Sequence, residues 1–363
     1  MKALRKYAFE PDYAVPPGAS VRETMEALGM TQRELADRTG LTVQTLNRIF
    51  KGDQPITYET ANRLDLVTGT PAAYWNQLET QYRAQLARLE DRSRLENDLA
   101  WIRTIPAATL VARKAIPASP DKVILFREVL KFYSVSSVAA WQTIWEQPAA
   151  AARRSACFAS SPGPTSAWLR LGQLAAHKTA CKPYSKPRFL EVLRVIRDLT
   201  LDLPESFIPR MTATCASAGV ALVLVPEIKG APWSGAAEWL APDKAMILLN
   251  LRGKTEDRFW FTFFHEAGHI LHDSKKDQHI DDGKTYAGDP AEQRADQFAA
   301  EILIPRKHDP AIAAARSAAD IRNLAAQLGV SPGIVAGRFQ HLTRKWTHFN
   351  DLIARFQWVQ SGE

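Results

Sequence analysis

The sequence predicts a mainly α-helical chain with one small β-sheet, an α+β arrangement in three parts. These are an all-helical domain over residues 1–76, a helical connector over 77–203, and a domain mixing helices with short strands over 204–363. Three observations predict it. Between residues 16 and 70, short stretches with helical apolar spacing alternate with glycine and proline breakers. From Gln77 to Ile228 the chain is first charged and then alanine-rich, and reads as mostly helical. Ahead of residue 256, three short apolar runs lead into a proline-free stretch that is apolar over a broad face. At 363 residues the chain also exceeds one typical core, so two or three domains are expected.

In the first domain, the breaker Pro16-Pro17-Gly18 precedes a helix from about Ser20 to Leu28 that ends near Gly29. Thr31-Gln32-Arg33-Glu34 forms a capping box opening a second helix, which stops at Gly40. Thr42 can cap a third helix running to about Phe50, and a fourth occupies Tyr58 to Leu66. Leu35, Ala36, Leu41, Val43, Leu46 and Ile49 give these short helices inward faces. Two short helices joined by a tight glycine turn are the geometry that lays the second into the major groove of double-stranded DNA. On that helix Gln44, Thr45, Asn47 and Arg48 are candidates for base edges or phosphates, because amides and guanidinium groups read donor and acceptor pairs. Thr42 at the head of the helix is grouped with them, and Gln32 and Lys51 are candidates for the DNA backbone. The same pattern also serves helical interaction modules that bind no DNA.

From Gln77 to Trp101 the chain reads as one long charged helix, with Leu78, Tyr82, Leu86, Leu89 and Leu99 near helical period. It would link the domains or pair two subunits; a homodimer suits a DNA binder, since two-fold operators need two reading heads. Beyond it lies the alanine-rich helical stretch, interrupted at Ser160–Pro164 and Lys182–Pro187, with no motif that carries chemistry.

In the last domain, Val220 to Val225, Ala236 to Leu240 and Ala245 to Leu249 read as strands. A small sheet beside a functional helix can add an extended peptide as a further strand, and Ser234 to Trp239 is the candidate edge, the alternative being a covered sheet. The helix that follows, Glu256 to His272, contains His265-Glu266-Ala267-Gly268-His269. Each helical residue advances about 100°, so histidines four apart lie one above the other and can grip one metal. A hydrolytic zinc site takes three protein ligands and keeps a fourth position for water, whose pKa falls to about 7. Glu266 stands beside the histidine pair as the general base. A second helix, Pro290 to Leu303, carries Glu292 and Asp296 one turn apart. Glu292 would complete a His-His-Glu set, and Asp296 would accept the outer N–H of one ligand histidine. The bland alternative is a pair of surface histidines and a solvated acidic helix face.

These residues resemble known families. The run FWFTFFHEAGHILHD, followed by EQRADQFAAEILIP, resembles the ImmA/IrrE family of zinc metallopeptidases over roughly Pro204 to Phe349. The resemblance implies a zincin-like peptidase domain with His265, His269 and Glu292 as Zn2+ ligands and Glu266 as catalytic base. It also implies a regulatory protein substrate, typically a repressor or antitoxin. Family members commonly have a second carboxylate two residues after the ligand glutamate, where this chain has Arg294. The segment from Gly29 to Leu64 looks like the helix-turn-helix of phage-repressor-type regulators, most closely HigA-type antitoxins, a comparison that Gly69 to Tyr82 strengthens. This opens a competing reading, a HigA-type antitoxin and autorepressor with a toxin as partner and a structural, sensory or inactive metal site.

Several other features carry less. His272 lies about 300° round the helix from His269 and reads as a surface or supporting residue, as does His279. Tyr286 could stabilise an oxyanion, although packing is the commoner role for such a residue. The segment Asp320 to Leu342 looks superficially like another helix-turn-helix, but its apolar helices are expected to close the peptidase core. The net charge of +7 comes from the middle of the chain, so the basic balance is no evidence for DNA binding by the first domain. No run approaches the ~18 apolar residues of a membrane span, and residues 1–18 lack the apolar stretch and small-residue cleavage site expected of a signal peptide. Cys157, Cys181 and Cys215 are odd in number and far apart, which fits a reducing cytoplasm.

Overall fold

The computed structural model describes residues 11–146, 162–231, 233–275, 279–281 and 289–358. The chain divides into two compact units, Met1–Leu99 and Ala100–Glu363. The first holds α1 (Pro17–Ala27), α2 (Gln32–Thr39), α3 (Val43–Lys51), α4 (Tyr58–Thr68) and α5 (Ala72–Asn97). Thr31, Thr42 and Thr57 accept the N–H groups of Glu34, Thr45 and Thr60 and so cap α2, α3 and α4. Gly40, Gly52 and Gly69 end the same helices with φ of 68°, 79° and 71°, a region that favours residues without a Cβ. Val21, Leu35, Leu46, Ile49, Leu64 and Trp75 fill the core between them.

Three expectations for this unit are corrected. The helix α1 starts three residues early because Pro17, read as a breaker, sits in its first turn, where a fixed φ helps and no N–H is needed. The expected capping box at Thr31 is half formed, since the Glu34 carboxylate pairs with Arg38 Nη2 at 2.6 Å. The long helix also starts at Ala72 and ends at Asn97, giving way to a 3₁₀ turn over Leu99–Thr104.

The second unit is built around a sheet of β1 (Val220–Leu224), β2 (Gly235–Ala241), β3 (Lys244–Leu249) and β4 (His279–Asp281), in the order β1-β3-β2-β4. β1 runs parallel to β3, while β2 is antiparallel to both β3 and β4. β1 and β3 are apolar on both faces because both faces are covered. Val220, Leu222, Ala237, Ala245, Ile247 and Leu249 point to one core, and Ala221, Val223, Ala236, Met246 and Leu248 to the other.

The second of these cores corrects the expected connector. The stretch contributes α6 (Ala107–Ala112), α7 (Lys122–Tyr133), α8 (Val138–Trp141), α9 (Pro162–Lys178) and α10 (Lys186–Asp198), and α11 (Pro204–Ala216) follows it. Leu110, Val129, Trp141, Trp168 and Leu169 from this region pack on the sheet, and a Cβ on Gly172 of α9 would meet Leu248 Cδ2 at 2.5 Å. The apolar side of α6 to α9 is thus a layer of the second unit, while Phe189 and Val192 of α10 and Phe207 and Met211 of α11 join the first of the two cores.

The proposed peptide-adding edge is also corrected. Gly235, Ala236 and Ala237 pair with Asp281, Ile280 and His279, so this part of β2 is interior to the sheet. A strand of three residues leaves no periodicity for the sequence to show.

On the other face lie α12 (Glu256–His272) and α13 (Pro290–Leu303), backed by α14 (Asp309–Ala313), α15 (Ala318–Leu328) and α16 (Pro332–Thr343). Ile321, Ala325, Val330, Ile334, Val335 and Phe339 join the core beneath α12, so the helix-turn-helix-like tail closes this core as expected. Among the described residues no helix is long and apolar enough to cross a membrane.

Candidate metal centre and nucleic-acid face

Small residues bring the two site helices together. A Cβ on Gly268 would lie 3.0 Å from the backbone of Ala295, so α12 and α13 approach as closely as a glycine facing an alanine allows. This sets Glu292 opposite His265 and His269. The Nε2 atoms of the two histidines are 3.0 Å apart, and Glu292 reaches them at 3.2 and 3.5 Å. One ligand atom from each of the three residues falls within a 4.8 Å cluster. Both histidine side chains are almost wholly buried, and Glu292 is 18% exposed.

The outer nitrogens are held as well. His265 Nδ1 meets Asp296 Oδ1 at 2.9 Å, the contact expected from the sequence. His269 Nδ1 meets Asp273 Oδ2 at 2.6 Å, a contact sequence reasoning missed although His269 and Asp273 are spaced four apart. Arg294 donates to the other oxygen of Asp273 at 2.6 Å. The position at which the sequence departs from the resembled family thus carries the cation that balances this buried carboxylate. With both Nδ1 atoms engaged by carboxylates, both Nε2 atoms turn to the same point, and the His-His-Glu donor set fits a divalent metal with an open position.

Burial opposes charging His269, but Asp273 and Glu292, aided by Glu266, outweigh it and push its pKa up to about 9.

Glu266 is fully buried on the same helix. A Cβ on Gly235 would stand 2.5 Å from Glu266 Oε1 and 2.6 Å from Thr262 Cγ2, so the bare backbone of β2 gives this carboxylate its room. Gly235 is the second residue that sequence reasoning missed; nothing in its local pattern marks it, because the contact crosses from strand to helix. His272 is exposed and meets Phe298 edge-on at 5.5 Å, away from the ligand atoms. His279 lies in β4, and Tyr286 lies outside the described residues.

In the first unit, Thr42 at the N-cap of α3 and Gln44, Asn47, Arg48 and Lys51 along it are exposed, while Leu46, Ile49 and Phe50 face inward. Thr45 is half-buried, with its hydroxyl 2.9 Å from that of Thr42. Gln32 Nε2 donates to Asn47 Oδ1 at 2.9 Å and to Val43 O at 3.2 Å, tying the start of α2 to the exposed face of α3. The sequence-predicted contact residues therefore share one surface.

A family model for a helix-turn-helix matches residues 21–75. A second, described as an IrrE N-terminal-like domain, matches residues 223–340 and spans His265, Glu266, His269, Asp273, Glu292 and Asp296. No curated protein matches the chain significantly. The chain thus carries an N-terminal helix-turn-helix domain and a C-terminal IrrE-like, metallopeptidase-like domain.

Proposed function

We propose, from the premise of a helix-turn-helix domain and an IrrE-like domain in one chain, that this protein is a DNA-binding regulator with a zinc-dependent endopeptidase that cleaves a regulatory protein. The observation that carries the reading is a three-residue ligand set with a buried carboxylate, Glu266, on the same helix. A purely structural zinc site is usually closed by four ligands and has no use for such a base.

Zinc, when bound, would supply Lewis acidity toward water and the peptide carbonyl. His265, His269 and Glu292 would hold it, with Asp296 and Asp273 fixing the tautomers and ring angles of the two histidines. Glu266 would take a proton from the attacking water and hand it to the leaving nitrogen, so one carboxylate serves as base and then as acid. Its full burial keeps bulk water from that carboxylate.

The exposed face of α3 would read an operator, with Arg48 and Lys51 on phosphates or base edges and the Gln32–Asn47 pair presenting an ordered amide. A homodimer would supply the two reading heads of a two-fold site, and the setting would be the cytoplasm. The protein substrate would be a repressor or antitoxin of the same circuit.

The test compares the full chain with Glu266→Gln for zinc content and for cleavage of proteins encoded by neighbouring genes. Stoichiometric zinc in both and cleavage by the wild type alone are expected. Bound zinc with no cleavage of any candidate by the wild type would retire the peptidase in favour of a regulator with a sensory or structural metal.

A further inference from the structure

The exposed helix α3 is held at both ends, and its far end is held by a helix outside the helix-turn-helix pair. At its start, Gln32 of α2 donates to Asn47 and to the Val43 carbonyl. At its end, the hold comes from the long helix α5. Glu79 Oε2 accepts the backbone N–H of Ile56 at 3.0 Å, and Glu79 Oε1 accepts Arg83 Nε at 2.7 Å. Arg83 in turn donates from Nη2 to the carbonyl of Gly52, the C-cap of α3, at 3.1 Å. Tyr82 seats on the same glycine, since a Cβ there would meet its hydroxyl at 2.6 Å. The turn between these anchors folds back on α3, with the N–H groups of Asp53 and Gln54 donating to the Arg48 carbonyl at 2.9 and 3.2 Å.

Glu79 is out of place for a residue that only attaches α5. It is 8% exposed and lies on the α5 face of Trp75, Leu78 and Tyr82, where helical period calls for apolar side chains. Trp75, fully buried, and the partly buried Leu78 already anchor α5 in the core of the first unit. Burying a carboxylate beside them costs desolvation free energy that attachment alone does not require. What Glu79 and Arg83 add is direction, because together they fix Gly52 and Ile56, the two ends of the turn that leaves α3. The geometric tolerance is small. A tilt of about 10° over the nine residues of α3, roughly 13 Å of helix, moves its far end by about 2 Å, more than a hydrogen bond to a base edge accepts.

We propose that Glu79 and Arg83 are positioning residues for operator recognition, clamping the end of α3 so that α5 sets the angle at which the exposed face enters the groove. The inference rests on the DNA-binding reading of the first unit.

Two arms test it on the full chain. Glu79→Gln leaves an amide N–H facing either the Ile56 N–H or Arg83 Nε–H, donor against donor. It also removes a negative charge, which through the general field alone would strengthen DNA binding. Arg83→Lys keeps the charge but loses the fork that reaches Glu79 and Gly52 together, and so guards against one misfolded variant deciding the matter. Fluorescence anisotropy then compares a duplex from the promoter of the chain's own gene with a scrambled duplex of equal length. Promoter affinity should fall about tenfold in Glu79→Gln and about threefold in Arg83→Lys, the scale of one compromised hydrogen bond. Affinity for the scrambled duplex should stay within about twofold, since it follows the cationic surface. Equal losses on both duplexes would mean plain attachment of α5 and overturn the proposal, as would a promoter preference that both folded variants keep.

The second arm needs no DNA. Hydrogen exchange over residues 52–57 should run about tenfold faster in Glu79→Gln than in the wild type, because the Ile56 amide loses its acceptor. Unchanged exchange in both variants overturns the clamp alone. A wild type that does not distinguish the two duplexes overturns the DNA-binding reading, and the proposal with it, whatever the exchange shows.

Discussion

Replacing Asp273 with alanine should weaken zinc binding more than replacing Asp296, although only Asp296 belongs to the motif read from the sequence. Each carboxylate holds the outer nitrogen of one ligand histidine, at 2.6 Å for Asp273 and 2.9 Å for Asp296. Their surroundings differ. The side chain of Asp273 is 3% exposed and that of Asp296 is 34% exposed, so water can replace Asp296 far better than Asp273. Partners of this kind are worth roughly 10- to 100-fold in metal affinity, or about 1.4 to 2.7 kcal/mol. Asp273→Ala should fall at the upper end and Asp296→Ala at the lower. Asp273→Asn, whose side-chain oxygen can still accept the Nδ1 proton, should lie between Asp273→Ala and the wild type. Competition for zinc against a chromophoric chelator at pH 7.5 gives the affinities, and circular dichroism confirms that each variant is folded. A folded Asp273→Ala within twofold of wild type, or a larger loss in Asp296→Ala, would refute the reasoning.

Three further outcomes follow from the same structure. Gly235→Ala should destabilise the chain by about 1–3 kcal/mol in urea melts and cut peptide cleavage at least tenfold with zinc affinity near normal, because its Cβ meets Glu266 Oε1 at 2.5 Å; unchanged turnover would show that the strand yields. Burial pushes the Glu256 pKa above its usual 4.5 against the hydrogen bonds from Ala354 and Ser331, with Asp257 adding to the rise. The stability tied to its protonated form is therefore complete below about pH 4.5 and lost as pH rises through the elevated value, so Glu256→Gln should gain Tm on wild type from pH 4.5 to 7. On a promoter fragment that the chain binds, Gln32→Ala and Asn47→Ala should lower affinity similarly and the double variant little further, since Gln32 Nε2 donates to Asn47 Oδ1; full additivity in fluorescence anisotropy would uncouple them.

The metal site was the most legible part of the sequence because it is written in helical period. His265, His269, Glu292 and Asp296 repeat at four-residue spacings on two helices, and the structure brings all four together. Asp273 obeys the same spacing but sits where a helix ends, at its C-cap, and was passed over. Gly235 was hidden for a different reason, since contacts between elements distant in sequence leave no local period. The capping threonines and terminal glycines of the first unit were readable because caps act within a single turn. The docking of the alanine-rich helices was not, as small apolar faces say that they are buried but not against what. Val220 to Val225 held the clue: six apolar residues in a row, without alternation, belong to a strand covered on both sides.

The two-sided sheet sets a lower limit on what can be cut from this protein. A fragment starting near Pro204 would keep His265, Glu266, His269 and Glu292, yet would bare Ala221, Val223, Ala236, Met246 and Leu248 to water. Such a continuous apolar surface favours self-association over solution as a monomer. The smallest excisable piece that keeps the candidate metal centre accordingly begins near residue 100, and a chain severed at residue 203 would carry intact candidate ligands on an insoluble scaffold.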